Sequence, residues 1–440
     1  MRNLLCVDMT AGACSLVPLP KNLAALGGRG LASMLVANGM PPDSNPLGPA
    51  NMLAIAPGLL SGCCASSGRT AVTCKSPLDG IIPSANAGGL PGEALARHGI
   101  AAVQIEGTAP PGRWLDLVIN AKGAALEPST VNGHNTYMAM ASLGQQHGAT
   151  CPCLTIGKAG EACLPLATIA FSDRAGQPTR HAGGGSGAVM GSKGLKAIVI
   201  KDTPEKPVMT DNAAFDASAK RFADALHARK RKAGGHVPYK GCAPGCVLEC
   251  KDGSAGTKRS DGSLGKWPDY MRLWSTSTAP TEADYANLDR YAHLCNDLGV
   301  DTFAVGEMLG LLVSQNALER GDAQGALDLL EAMNGNPLSA GLYAHLSPDA
   351  GVQDNSEATR RFYKDHTEES VILDSLGICL FASQALAEEE EARTALAAML
   401  AARYGHSLSC DDMTATARAV LHAELTFAHP HECCGDDDHA

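Results

Sequence analysis

Residues 183–200 read GGGSGAVMGSKGLKAIVI, a glycine-dense run that passes into an apolar, β-branched run. The glycines and the pair Ser192-Lys193 invite comparison with a phosphate loop. The residue order argues against it: a phosphate loop places Gly-Lys ahead of its Ser or Thr, and here Ser192 precedes Lys193. A phosphate loop also opens a helix, whereas this run leads to LKAIVI (195–200), which reads as a strand. Glycines at this density let the backbone approach a ligand closely and adopt positive φ. The run therefore predicts a stretch of close backbone approach that continues into a strand.

Similar apolar runs bounded by turn residues recur upstream, at NMLAIAPG (51–58), AAVQIEG (101–107) and WLDLVIN (114–120). They predict a mostly β region over residues 1–203. Two further glycine loops, SANAGGLPGEAL (84–95) and IGKAGEACLPLATIAF (156–171), punctuate it. Prolines and charges over 202–215 end the strand region, and Thr210-Asp211 is suited to cap a helix. Beyond it the apolar period becomes helical at 213–232, 285–299, 302–321, 323–335, 384–404 and 413–428. Residues 336–370 read as polar and irregular, HPHECCGDDDHA (429–440) reads as a polar tail, and no short-period repeat is visible. The expected fold class is α+β. A β-rich N-terminal domain (1–203) precedes a helical domain carrying a cysteine cluster (210–345) and a shortened C-terminal helical domain with its tail (346–440).

The chain has 440 residues, 45% hydrophobic and 18% charged, which suits a globular protein of two to three domains. A net charge of -11 disfavours nucleic acid or an acidic membrane surface as partner. The N-terminal MRNLLCVDMTAG has too short an apolar core for a signal peptide, and no apolar run is long enough to span a membrane. A cytoplasmic location is expected, where thiols stay reduced. The sixteen cysteines are then metal ligands or buried residues rather than a disulfide framework.

The densest cysteine signal is GCAPGCVLECKD, in which three residues separate Cys242 from Cys246 and three separate Cys246 from Cys250. Structural zinc prefers pairs spaced by two. A cubane iron–sulfur cluster takes four thiolates, often three clustered and one remote. The remote candidate is Cys379 in VILDSLGICLF. Ordinary buried cysteines are the alternative, although a tight Pro244-Gly245 loop is poor core design.

The segments LGGRGLAS (26–33), SNPLGPANMLAIAPGLLSG (44–62), GRTAVTCKSPLDG (68–80), ANAGGLPGEALARHGIAAVQIEG (85–107), IGKAGE (156–161) and GAVMGSKGLKAIVI (187–200) are ordered and collinear. With LCNDLGVDT (294–302) and DSLGICLF (374–381), they resemble the aldehyde:ferredoxin oxidoreductase family of tungsten or molybdenum bis-pterin enzymes. The resemblance implies a β-rich base carrying two pterins with magnesium between their phosphates, and helical domains covering them. It implies a 4Fe-4S cluster that passes electrons to ferredoxin, a small-molecule aldehyde substrate, and a homodimer or hetero-complex. By position, Arg69 matches the arginine between cluster and pterin. Asn86 and Arg180 match the residues whose carbonyls hold magnesium, and Gly88 matches a backbone pterin contact. Cys242, Cys246, Cys250 and Cys379 match the cluster ligands. Asp374 matches a pterin-gripping aspartate, with Asn296 and Asp301 in the second gripping segment, where Asn296 replaces the family's aspartate.

The chain also departs from the family. Both gaps in its cysteine cluster are three residues, where the family commonly has two and then three. The arginine of the family's glycine loop has become Gly183. Met271 in WPDYMRLW stands where the family has an active-site glutamate, and a methionine does no acid–base chemistry. Only about 70 residues separate Asp301 from Asp374, with no stretch matching the family's active-site histidine. The dimer-bridging glutamate is Arg290, although His293 remains. Two functions stay open at this point: a compact oxidoreductase, or a non-catalytic relative serving electron transfer or as a scaffold.

Overall fold

The computed structural model describes residues 2–83, 85–178, 180–204, 206–233, 246, 282–335, 367–405 and 409–428. The chain opens with β1 (Asn3–Asp8), β2 (Ala13–Pro18), α1 (Gly28–Gly39), β3 (Leu53–Pro57), β4 (Thr70–Thr73), β5 (Ala85–Ala87), α2 (Leu90–Arg97) and β6 (Ile100–Glu106). It continues with β7 (Leu115–Asn120), β8 (Gly123–Pro128), α3 (Thr136–His147), β9 (Cys153–Thr155), the one-turn α4 (Lys158–Glu161), β10 (Ile169–Phe171), β11 (Arg180–Ala182), α5 (Ser186–Ser192) and β12 (Leu195–Ile200).

These elements build two six-stranded sheets, ordered β2-β1-β6-β3-β4-β5 and β8-β7-β12-β9-β10-β11. In each sheet the second pairing alone is parallel, β1 with β6 and β7 with β12. Apart from α4, both halves follow one chain order: two strands, a helix, three strands, a helix, a strand. The N-terminal region is thus an internal duplication with an offset of about 100 residues. No short sequence period announces it, because only the backbone plan is repeated.

Alternation along the strands assigns the two faces of each sheet. Leu53, Ile55 and Val103 of the first sheet join Leu117, Leu154, Phe171 and Ile198 of the second in one buried layer, with α2 and α5 contributing Leu95 and Met190. The intervening residues Ala54, Ala56 and Ala102 face the other way and pack under Leu31 and Val36 of α1. Ala170, Ala197 and Val199 likewise pack under Met140 and Leu143 of α3. The first helix of each repeat thus covers the outer face of its own sheet.

The remaining elements are helical: α6 (Asn212–Ala233), α7 (Glu282–Leu298), α8 (Thr302–Ser314), α9 (Ala323–Gly335), α10 (Glu368–Leu376), α11 (Ser383–Glu388), α12 (Glu390–Tyr404) and α13 (Cys410–Ala428). Asp211 starts α6 by accepting from Ala214 N at 3.0 Å, the cap expected from the sequence. α7, α8 and α9 pack on residues 159–167 of the second repeat. α6, α10 and α12 pack on residues 59–65 of the first. The fold class is therefore α+β, with the sheets first and the helices after them. Among the described residues no helix is long and apolar enough to cross a membrane.

Several sequence expectations change in detail. The helix expected over 302–321 ends at Ser314, with Asn316 at φ 57°. The helix expected over 384–404 is two, separated at Glu389. α10 begins inside the stretch read as irregular, where the Thr367 side chain accepts from Ser370 N at 3.2 Å. The glycine loop at 183–185 does not pass straight into a strand: α5 intervenes, its backbone entry made by left-handed Gly184 and Gly185.

Candidate functional site

Among the described residues, one chain reversal of the helical part is hydrogen-bonded through its backbone to a loop of each repeat. α10 ends in left-handed Gly377 (φ 78°), and Ile378 N donates back to Leu373 O at 2.9 Å, closing the helix C-terminus. The segment then runs against the loop after β3. Leu59 N donates to Ser375 O at 3.0 Å, Leu60 N to Leu376 O at 2.9 Å, Arg69 N to Gly377 O at 3.1 Å and Cys379 N to Ser66 O at 2.9 Å. The approach is close enough to require glycine at position 58, where a Cβ would stand 2.0 Å from Gly377 N.

This stitch brings together residues far apart in sequence. Arg69 Nη2 donates to the buried Cys379 Sγ at 3.6 Å. Three residues before Arg69, Ser66 Oγ donates to Cys246 Sγ at 3.7 Å. Two of the four expected cluster thiols thus touch one short loop, with a guanidinium on the sulfur of one. Cys242 and Cys250 lie outside the described residues, as do Met271 and the terminal tail.

Asp374, on the last turn of α10, accepts from Asn86 Nδ2 at 3.0 Å. Its other oxygen lies 4.0 Å from Arg29 Nη1. Arg29 is buried at the start of α1 and donates to Glu424 of α13 through Nε at 2.9 Å and Nη2 at 2.6 Å. Ser33 Oγ adds a donor to Glu424 at 2.7 Å. The sequence reading did not single out Arg29 or Glu424. LGGRGLAS carried the only signal for Arg29, and nothing near Glu424 marks it as a buried partner.

The second repeat does the same with different side chains. α7 ends in left-handed Gly299 (φ 74°), and Val300 N donates to Cys295 O at 2.9 Å. Thr168 N donates to Gly299 O at 2.8 Å and Asp301 N to Leu166 O at 3.0 Å. Thr136 Oγ1 at the start of α3 donates to Asn296 O at 2.7 Å, while Asp297 accepts from Asn135 Nδ2 at 3.0 Å. The N-termini of α1 and α3 therefore grip the two reversals in corresponding ways, Gly28 lying against Asp374 O.

Asp301 stands where Cys379 stands in the first reversal. Its Oδ1 caps α8, accepting from Phe303 N at 2.9 Å and Ala304 N at 3.1 Å. Burial pushes its carboxyl above the ordinary range, and those two amides oppose the rise. Its Oδ2 is turned toward the glycine loop, where a Cβ at Gly183 would stand 2.3 Å from it. Asp301 Oδ2 thus occupies the space in which a side chain at position 183 would begin.

β5 and β11 lie against each other where the two sheets meet. Asn86 and Arg180 are on these neighbouring strands, and Gly88 follows β5 in a buried position. The phosphate-loop comparison ends here as well. Lys193 is fully buried after α5, and its ammonium donates to the carbonyls of Asn51 and Gly107. The bridging positions have intrachain contacts: Arg290 pairs with Glu331, and the His293 ring lies 4.7 Å from that of Tyr137.

Comparison with known proteins agrees with this geometry. Residues 4–202 match the family model for the aldehyde ferredoxin oxidoreductase N-terminal domain, and residues 207–341 match that for its domains 2 and 3. The tungsten-containing aldehyde ferredoxin oxidoreductase of Pyrococcus furiosus is 28% identical over 352 residues, covering 69% of this chain and 56% of that protein. The enzyme of the same name from Thermococcus kodakarensis is 27% identical over 349 residues, with the same coverage. The chain thus spans about half the length of these curated relatives. Among solved structures, the active site complex BamBC of benzoyl coenzyme A reductase, in complex with 1,5-dienoyl-CoA, superposes with a TM-score of 0.70. That match has 17% identity and covers 97% of this chain and 88% of the other, a likeness of fold.

Proposed function

Because this chain belongs to the aldehyde ferredoxin oxidoreductase family, we propose that it is an oxidoreductase built to hold a tungsten or molybdenum bis-pterin beside a 4Fe-4S cluster. The observation that carries the reading is the convergence of Cys379, Cys246 and Arg69 on residues 66–69. Thiols from distant segments meeting beside a fixed guanidinium suit an iron–sulfur cluster better than an apolar core. In this reading Cys242 and Cys250 complete the ligand set.

The residues present also suit a pterin. Positions 183–185 carry no side chains, and Asp301 Oδ2 faces them, so backbone and one carboxylate line the cradle. Asp374 and Asp301 are the acceptors for pterin N–H groups; Asn296 brings an amide with fewer acceptor sites and no charge. Gly88 supplies a backbone contact. The carbonyls of Asn86 and Arg180, on adjoining strands, are the proposed magnesium ligands. Arg69 donates to a cluster sulfur and places a positive charge there, a contact that tunes cluster potential. When bound, the metal-pterin supplies two-electron exchange with the substrate, and the cluster passes electrons on singly.

The proposed substrate class is an aldehyde or related small molecule. An aldehyde so oxidised gains an oxygen from water, becomes a carboxylate, releases three protons to solvent and yields two electrons, passed singly, to ferredoxin or another iron–sulfur carrier. Met271 offers no proton-transfer group, so the reading assigns no residue to that role. The division into a pterin-binding domain (1–203), a cluster-bearing helical domain (210–345) and a shortened C-terminal domain (346–440) belongs to the same proposal. So do cytoplasmic residence and assembly as a homodimer or hetero-complex. The test is Cys379→Ser in protein purified without oxygen: the cluster's iron and its visible absorption are expected to be lost. Parent-like iron content refutes the ligand assignment.

A further inference from the structure

A cavity of about 530 Å³ opens where the end of β3, the C-terminal end of α2 and the C-terminal end of α12 come together. Arg2, Arg97 and Arg403 line it, with His98, Tyr404 and the exposed Val208. Arg2 and Arg403 share one aromatic surface: their guanidinium carbons lie 5.6 and 5.3 Å from the centre of the Tyr404 ring. Three guanidiniums in one cavity repel one another unless anions balance them.

The partners on the page do not supply that balance. Arg403 is buried and donates to the thiol of Cys63, a weak acceptor. Arg2 donates to two neutral carbonyls, Ala24 O at 3.1 Å and Leu26 O at 2.7 Å. Arg97 pairs with Glu93, but that carboxylate also accepts from Arg174 Nη2 at 2.7 Å, and Arg97 Nε is buried without a hydrogen-bond partner. Among the described residues, one carboxylate thus serves four guanidiniums. Burial and the nearby charge of Arg403 make the Arg2 cation less stable, with the Tyr404 phenol group opposing them. Arginines do favour helix C-termini. Here, however, the terminal carbonyls are engaged elsewhere: Ala402 O accepts from Asp211 N, Arg403 O from Thr210 N, and Ala94 O and Ala96 O from His98 N and Gly99 N.

We propose that this cavity binds an organic diphosphate, with Arg2, Arg97 and Arg403 on the phosphates and the organic part against Leu19, Ile100 and Val208. Guanidinium forks match phosphate oxygens bidentately. The volume exceeds what the phosphates alone fill and lies in the range of small-ligand pockets. The site is separate from the proposed pterin cradle, standing on the other side of Gly58 from the α10 reversal, and it does not depend on that cofactor being present.

The test is titration of ADP and of pyrophosphate into the full chain by calorimetry, at low and at high salt. Saturable binding of both is expected, tighter for ADP and weakened by salt. Arg403→Gln is expected to weaken ADP binding at least tenfold. Val208→Glu, at a rim position 85% exposed and so harmless to folding, is expected to weaken it several-fold through the added negative charge. Failure of ADP to bind overturns the proposal, whether or not pyrophosphate binds. So does ADP binding that Val208→Glu leaves unchanged, because the ligand then sits elsewhere.

Discussion

Replacing Gly58 with alanine tests the junction on which the cluster side of the site depends. The added Cβ would stand 2.0 Å from Gly377 N, 2.2 Å from Gly377 Cα and 2.4 Å from Leu376 C. All three are backbone atoms, so no rotamer change relieves the contact, and the two segments must part by about 1.5 Å to reach van der Waals distance. Overpacking of this kind costs about 1–3 kcal/mol. The four backbone hydrogen bonds that stitch residues 59–69 to residues 375–379 are put at risk. At a net contribution of roughly 0.5–1.5 kcal/mol each, losing the stitch costs about 2–6 kcal/mol. Hydrogen exchange reads the effect directly: the amides of Leu59, Leu60, Arg69 and Cys379 should lose protection, while those of β7 and β12 should not. Denaturant unfolding should show a loss of about 2–5 kcal/mol. Parent-like protection at Cys379 together with parent-like stability would show that these backbones do not meet.

Three further outcomes follow from buried charge and close contact. Glu424→Gln leaves Arg29 buried with Asp374 as its nearest carboxylate, 4.0 Å away, and is expected to cost about 3–5 kcal/mol in chemical denaturation; a loss below about 1 kcal/mol contradicts the ion-pair reading. Gly183→Ala drives a methyl group into Asp301 Oδ2, so the α8 cap must rotate away; a melt should show at least the ~1 kcal/mol value of an N-cap lost, and an unchanged melting temperature contradicts this contact. Desolvation raises the Asp116 carboxyl from 3.8 to about 6, so the stability contributed by its protonated form is complete below 3.8 and is lost as pH rises through about 6. Asp116→Asn is therefore expected to gain on the parent by about 1 kcal/mol more at pH 8 than at pH 5, and an advantage that does not grow with pH refutes the assignment.

Strand runs were the most legible part of the sequence. LKAIVI and WLDLVIN are buried along nearly their whole length, so continuous apolar residues marked them without ambiguity. The α5 helix was hidden because SGAVMGS is short and its glycines satisfy a tight packing need, with a Cβ at Gly191 falling 1.9 Å from Gly160 O. The duplication was invisible because its halves share strand pairing rather than residues. Of the site, collinear motifs pointed to Arg69, Asp374, Asp301 and Cys379, and these do adjoin the two chain reversals. The ion pair of Arg29 with Glu424 was not legible, since 395 residues separate its members and no local pattern connects them. The Asp301 and Gly183 contact was equally hidden: the sequence displayed a missing arginine but not the carboxylate beside it.

Metal analysis of the full chain, purified without oxygen, decides whether this fold carries both a metal-pterin and an iron–sulfur cluster. Iron and either tungsten or molybdenum are expected in the same fraction, at about four irons per heavy metal, with releasable pterin. Iron without tungsten, molybdenum or pterin, or protein free of all of them, would contradict the proposed function.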